Sequence, residues 1–214
     1  IGLRHVENEA ALLNPFVGDH ITPQSDDIQG AGQIYGRPRD TIKRLELDEN
    51  MPDVRILERK DGLRIEGTNE NNKIVGAGGD EDIRGRKGDD KLIGGGGADS
   101  LFGGSGDDVQ KGGGGADRLL GNGGADVLIG GGRADFLKGG GGVDRLNCGG
   151  GADSLNGNGR NDTLDGGRWD DTLRGGGADV FVLSSGRDLV LDFNLAMDRI
   201  DASVFAGVAE LQII

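Results

Sequence analysis

From Gly67 the chain repeats in units of nine. With Gly67 as position one, position eight is filled by Ile74, Ile83, Leu92, Leu101, Gln110, Leu119, Leu128, Leu137, Leu146, Leu155, Leu164 and Leu173. Only Gln110, beside Val109, interrupts this apolar column. Position six is as regular: Asn72, Glu81, Asp90, Asp99, Asp108, Asp117, Asp126, Asp135, Asp144, Asp153, Asp162 and Asp171. The register never slips, and the first four positions are mostly glycine, as in GGGGADSLF at 94–102. A short period with fixed polar and apolar beats is the mark of stacked repeats. It excludes collagen, which needs glycine every third residue, and a flexible glycine linker, which keeps no beat. Glycine belongs where a tight turn needs positive φ or where the next coil comes too close for a Cβ. The leucines are then expected to stack inward as a thin core.

Composition raises the question of what stabilises such a stack. The 214 residues include 45 glycines, 34% hydrophobic and only 4% aromatic residues, with a net charge of -13, a poor supply for an ordinary core. The acidity argues against a nucleic-acid surface, and the basic run Arg37, Arg39, Lys43, Arg44 reads as a solvated linker. One cysteine, Cys148, excludes an internal disulfide framework and is read as a drifted glycine. No apolar run reaches membrane-spanning length. The opening IGLRHVENEA has neither an initiator methionine nor a signal peptide, which suggests a processed chain or a fragment.

The aspartates supply the missing device. If alternate repeats stack on one side, Asp99 and Asp117 stand about 4.8 Å apart, one strand spacing. Two carboxylates at that distance repel by roughly 1 kcal/mol in water and by several times more at a partly buried site. A column of them needs cations. Carboxylates and the carbonyls of glycine turns are hard oxygen ligands that suit Ca²⁺, whose coordination is flexible, better than Mg²⁺, which demands a tight octahedron.

The units match GGxGxDxUx, with U a large apolar residue, and the segment is identified as a member of the RTX (repeats-in-toxin) nonapeptide family. That resemblance implies an all-β, right-handed parallel β-roll in which six residues turn and three form a strand, two repeats to a coil. It implies calcium at Asp90, Asp99, Asp108, Asp117, Asp126, Asp135, Asp144, Asp153, Asp162 and Asp171. Asn72 and Glu81 mark an end. Arg133, Arg160 and Trp169 replace fourth-position glycines and Cys148 a first-position glycine, so weaker sites are expected near them. Asp126 should have aspartate neighbours on both sides and Asp171 on one only. The last unit, GGGADVFVL from Gly175, is one residue short at its aspartate; GRDLVLDFNLAMDRID then reads as a pair of closing strands and resembles the C-terminal cap of secreted RTX proteins. Asp188, Asp192 and Asp198 are read as surface turns, with a further ion site as the alternative.

Upstream, VRILERKDGLRIEG at 54–67 has two β-prone runs around Asp61-Gly62, a hairpin signal. The first 36 residues resemble the end of a matrixin- or serralysin-type metzincin catalytic domain. Gly2 and His5 have the spacing of a final GxxH, ALLNP at 11–15 resembles the turn that follows it, with Leu13 where that turn has methionine, and SDDIQGAGQIYG at 25–36 resembles the last helix. Ser25 can cap that helix, with Ile28, Ala31, Ile34 and Tyr35 on one face. The resemblance implies that His5 binds zinc and that the HExxH segment precedes residue 1; His20 reads as a loop residue. The expected organisation is a catalytic-domain remnant at 1–36, a linker and hairpin at 37–66, the roll at 67–177 and a β cap at 178–214. Two functional readings follow. The chain is the C-terminal portion of a secreted zinc metalloendopeptidase acting on protein or peptide substrates and inactive by itself, or it is a non-catalytic, calcium-dependent secretion or adhesion module. An RTX tail of a lipase or pore-forming toxin finds no serine elbow or amphipathic helix here.

Overall fold

The structure, a computed structural model, describes residues 20–21, 33–34, 44–48, 53–56, 63–182, 184–203 and 210–213. Their strands alternate along the chain between two parallel sheets, one of eleven strands and one of ten, and each strand pairs with the next but one. Val109–Gly114 lies between Lys91–Gly96 and Val127–Gly132. Ser100–Ser105 lies in the opposite sheet, between Asp82–Lys87 and Arg118–Gly123. Partners are eighteen residues apart, as Leu101 and Leu119 are, so two nonapeptides make one coil. The molecule is a parallel β-solenoid, and no helix occurs among the described residues.

Each central strand reads outward, inward, outward, inward, and its first inward position is position eight of the repeat. Position eight is buried throughout, from Ile74 to Leu173, with exposures of 0–2%. The core is therefore two facing ladders, one apolar side chain per rung. A buried leucine contributes about 1.5–3 kcal/mol, less than the backbone entropy lost by the nine residues that carry it. Hydrogen bonding and ligands must supply the rest. Gln110 sits in this ladder between Leu92 and Leu128, fully buried. Its Nε2 donates to the Leu120 carbonyl at 2.7 Å, while its Oε1 is buried without a partner.

The glycines play distinct roles. Gly97, at position four, has φ +119°, and a Cβ there would lie 2.2 Å from the Gly79 carbonyl oxygen of the coil before. Arg133, Arg160 and Trp169 hold the same position at φ +81°, +82° and +78°. They keep the left-handed turn by moving towards the left-handed helical well, which an L residue enters at a cost of about 1–2 kcal/mol.

The ladders run beyond the regular repeats at both ends, which corrects several expectations. The two runs around Asp61-Gly62 form no hairpin. Asp53–Ile56 pairs with Lys73–Val75 in one sheet and Arg64–Glu66 with Asp82–Lys87 in the other, because each run carries its own inward residues, Val54 and Ile56 against Leu63 and Ile65. Arg44, read as part of a linker, begins a strand in which Leu45 faces Ile65, twenty residues on. Gln33–Ile34, placed in a helix by the sequence, is a strand pairing with Arg55 and Ile56; the remainder of that helix lies outside the described residues. His20, read as loop, pairs with Arg44. At the other end, the two strands within 186–201, Arg187–Val190 and Arg199–Asp201, lie in different sheets and do not pair with each other; Val180–Val182 precedes them in the same stack. They continue the two sheets in parallel, with Phe181 on Leu164 and Val190 on Leu173.

Where the coils are longer, charge is balanced within the chain. The buried Glu66 carboxylate meets Arg44 and Arg64 at 3.0 Å each, and Arg86. Burial acts to raise its pKa, but hydrogen bonds from Arg86 and Arg44 outweigh it and hold the group below its ordinary value.

Gln110→Leu should raise the thermal midpoint of the folded roll, because it removes an unpartnered buried oxygen and completes the ladder. Leu128→Ala, in contact with that rung, should lower stability by about 2–5 kcal/mol. Calorimetry of the two variants checks both signs.

Candidate metal centre

The turn that joins one sheet to the other ends at position six, so aspartates gather in two columns, one along each edge of the solenoid. Asp90, Asp108, Asp126, Asp144 and Asp162 form one and Asp99, Asp117, Asp135, Asp153 and Asp171 the other. All ten are buried, at 0–4% exposure. Within each column Oδ1 accepts the backbone N–H of the residue eighteen positions before it. Asp108 N–H donates to Asp126 at 2.8 Å, and Asp126 N–H to Asp144 at 2.9 Å; on the other edge Asp99 N–H donates to Asp117 and Asp117 N–H to Asp135, each at 2.8 Å. The second oxygen is different. In all ten residues Oδ2 is buried with no hydrogen-bond partner.

First-position glycine makes room for that oxygen. A Cβ on Gly94 would stand 2.2 Å from Asp99 Oδ2, so a side chain added at that rung would require the carboxylate to shift. Cys148 occupies such a position, five residues before Asp153, as a free buried thiol. Burial, reinforced by Asp153 and Asp135, pushes it far above its ordinary value.

Burial likewise pushes the carboxyls up. Backbone hydrogen bonds oppose the shift, and aspartates above and below reinforce it in several rungs. Asp90, Asp99 and Asp126 rise to about 6. Asp108, Asp135, Asp162 and Asp171 rise to about 7. Asp117, Asp144 and Asp153 rise as well. At neutral pH such groups want either a proton or a cation. Orphaned, buried, hard oxygens beside turn carbonyls fit a calcium ion, with protein carbonyls and water completing its shell. Among the described residues no three His, Cys, Asp or Glu side chains converge on a common point, so any cation held here depends mainly on the backbone. His5 lies outside the described residues, and nothing among the described ones forms a zinc centre.

The columns extend further than the repeat count suggests. Asp171 does not end its column: its N–H donates to Asp188 Oδ1 at 3.2 Å. Asp162 N–H donates to Asp179 and Asp179 N–H to Asp198. Asp188 is buried, so the surface-turn reading fails for it. The visible signal was GGGAD itself, since dropping one residue restores the register. These end rungs are chemically different: Asp179 Oδ2 accepts from Gly177 N–H and Asp198 Oδ2 from Asn194 N–H. Both carboxylate oxygens are then satisfied by backbone. At the opposite end Asn72 Oδ1 accepts Thr68 N–H at 2.7 Å.

A parallel β-roll edged by two columns of buried carboxylates is a calcium-binding repeat solenoid. The family described as RTX calcium-binding nonapeptide repeat (4 copies) matches residues 64–92, 75–110, 93–128, 120–155 and 156–190, more than half of the chain, and the protein belongs to it. No curated protein matches the chain.

The raised carboxyl pKa values set the pH response with and without calcium. In the cation-free fold the aspartates keep protons that the unfolded chain releases near pH 3.8. Their stabilisation is full below that value and is lost as pH rises towards about 7. In chelator, β-structure should therefore increase on acidification from pH 7.5 to 5. Over this range the unfolded chain and the calcium-bound roll are both ionised, so protons favour only the cation-free fold, and the calcium concentration at half-folding should fall over the same acidification. Circular dichroism at both pH values measures each.

Proposed function

We propose that this chain is a calcium-triggered folding module of an exported protein, with Asp90, Asp99, Asp108, Asp117, Asp126, Asp135, Asp144, Asp153, Asp162 and Asp171 as its ligands. The ten unpartnered Oδ2 atoms carry this reading. Bound calcium supplies the charge that lets stacked carboxylates stay ionised inside the roll. Each Oδ1 meanwhile holds the coil before it through a backbone N–H, so ligand binding and coil stacking are coupled in one side chain. Where calcium is scarce, as inside a cell, the columns repel and the glycine turns have the entropy of an unfolded chain in their favour. In millimolar calcium outside, binding free energy becomes folding free energy. Secretion and an extracellular working site follow from this.

A second reading concerns the protein that the module serves. His5 in GxxH spacing, ALLNP and SDDIQGAGQIYG in that order support a zinc metalloendopeptidase acting on protein or peptide substrates. The strand at Gln33–Ile34 weighs against the helix which that resemblance requires. One histidine cannot make a hydrolytic zinc site, which takes three protein ligands, a bound water and a general base. A purely calcium-dependent secretion or adhesion module needs none of these.

Residues 67–177 should lack β-structure in chelator at pH 7.5 and gain it in millimolar calcium, with magnesium far less effective. Asp126→Asn keeps an oxygen for the Asp108 N–H but loses the charge, so it should raise the calcium midpoint while the folded spectrum is retained. A roll fully formed in chelator at that pH would overturn the folding role. The peptidase reading is separable: a chain extended upstream to include an HExxH segment should cleave casein, and His5→Ala should abolish cleavage without moving the calcium midpoint. Activity surviving His5→Ala, or an upstream sequence without HExxH, removes the peptidase and leaves the calcium module.

A further inference from the structure

We infer that the outward face of the ten-stranded sheet, over residues 73–147, is a docking surface for an anionic lipid bilayer. Strand alternation turns Lys73, Lys91, Lys111 and Arg145 to solvent on four of five consecutive strands of that sheet, all but Val127–Gly132. All four are exposed. No acidic residue points outward from these strands: beyond the four cations the outward positions hold Val75, Ile93, Val109, Val127, Ile129 and Asn147. In a chain of net charge -13, acid lies along the turn edges and this face is left basic.

Lys91, Lys111 and Arg145 also have no acidic cross-strand neighbour, and Lys73, which faces Asp53 across the ladder, forms no ion pair with it. Arg44, Arg64, Arg84, Arg86 and Arg187 each reach a carboxylate within the molecule, whereas none of the four makes an ion pair among the described residues. Lys73 and Lys91 are direct partners across the ladder, a like-charge pairing that costs stability when nothing anionic covers it. The opposite sheet differs. Its outward Arg84 and Arg118 lie 4.8 and 4.6 Å over the rings of Phe102 and Phe136, so those two cations are engaged within the face.

The chemistry between the cations selects the partner. Branched aliphatic side chains fill the spaces, with Val109 39% exposed, and the face has no aromatic ring. A base or a sugar ring therefore has no platform to stack on. A second copy laid face to face would set lysine against lysine. Cations interleaved with aliphatic side chains match the headgroup and upper acyl region of an anionic bilayer, where the charges meet phosphate and the aliphatic groups leave water. Calcium sets the timing, a step that rests on the folding role proposed above. Only the stacked roll aligns these residues on one plane, and seven divalent ions would carry the net charge past neutrality.

Co-sedimentation with vesicles tests this, using phosphatidylcholine alone or mixed with phosphatidylglycerol, in calcium, on the full chain. The wild type should bind the mixed vesicles and not the neutral ones. Lys91→Glu/Lys111→Glu should weaken binding at least about tenfold, as expected when cations at an anionic surface are reversed. Lys138→Glu/Arg174→Glu, with the same change in net charge on the opposite sheet, should stay within about twofold of wild type. Equal loss in both double variants, no binding to mixed vesicles, or binding to dextran sulfate but not to vesicles would each overturn the proposal, the last in favour of an acidic polysaccharide. Circular dichroism of every sample separates the two ideas: a spectrum indifferent to calcium removes the folding role, while the contrast between the two double variants still decides the face.

Discussion

Everything in this molecule hangs on a carboxylate held by one oxygen and left needy at the other. In each regular rung the aspartate Oδ1 takes a backbone N–H from the coil before, and Oδ2 is sealed from water without a partner. The first bond stacks the coils. The second oxygen makes the stack conditional, since burying an ionised carboxylate that lacks compensation is costly. A single side chain type thereby joins the coils and carries the buried oxygen that calls for compensation.

The rest of the design accommodates that carboxylate. Glycine at position one leaves the volume that Oδ2 occupies, and glycine at position four allows the left-handed turn and the close carbonyl of the neighbouring coil. Spending so many residues on turns leaves one apolar side chain per rung, which keeps the core thin and the roll dependent on its edges. Outside the regular repeats the dependence ends in two ways. At the N-terminal side, Glu66 is neutralised by arginines from three coils; at the C-terminal side, Asp179 and Asp198 satisfy both oxygens with backbone N–H groups. The C-terminal arrangement ends a column without a cation, and the N-terminal one balances a buried carboxylate outside the columns with arginine.

The outward faces are free to carry something else. Because the turn edges hold the carboxylates and the ladders pack the core, the outward positions on the sheets are under neither constraint. One sheet uses them for arginine-on-phenylalanine contacts. The other presents bare cations among aliphatic side chains.

Much of this was legible in the chain. The nine-residue beat fixed which residues go inward, which aspartates share an edge and why glycine recurs, because a strict repeat gives every unit the same local solution and stacking then follows from the period alone. Sequence reasoning failed where the period changes. The coils of twenty residues around Leu45 and Ile65, and those of seventeen around Asp179 and Asp188, carry no repeated beat, so local signals such as Asp61-Gly62 suggested a hairpin. Tertiary structure decided otherwise: once a regular roll exists, its end strands present open ladders, and any neighbouring segment with an inward apolar residue pairs there whatever its turn chemistry prefers. Partner choice for Arg64–Glu66 or Val180–Val182 depends on that edge, which no local stretch of sequence contains.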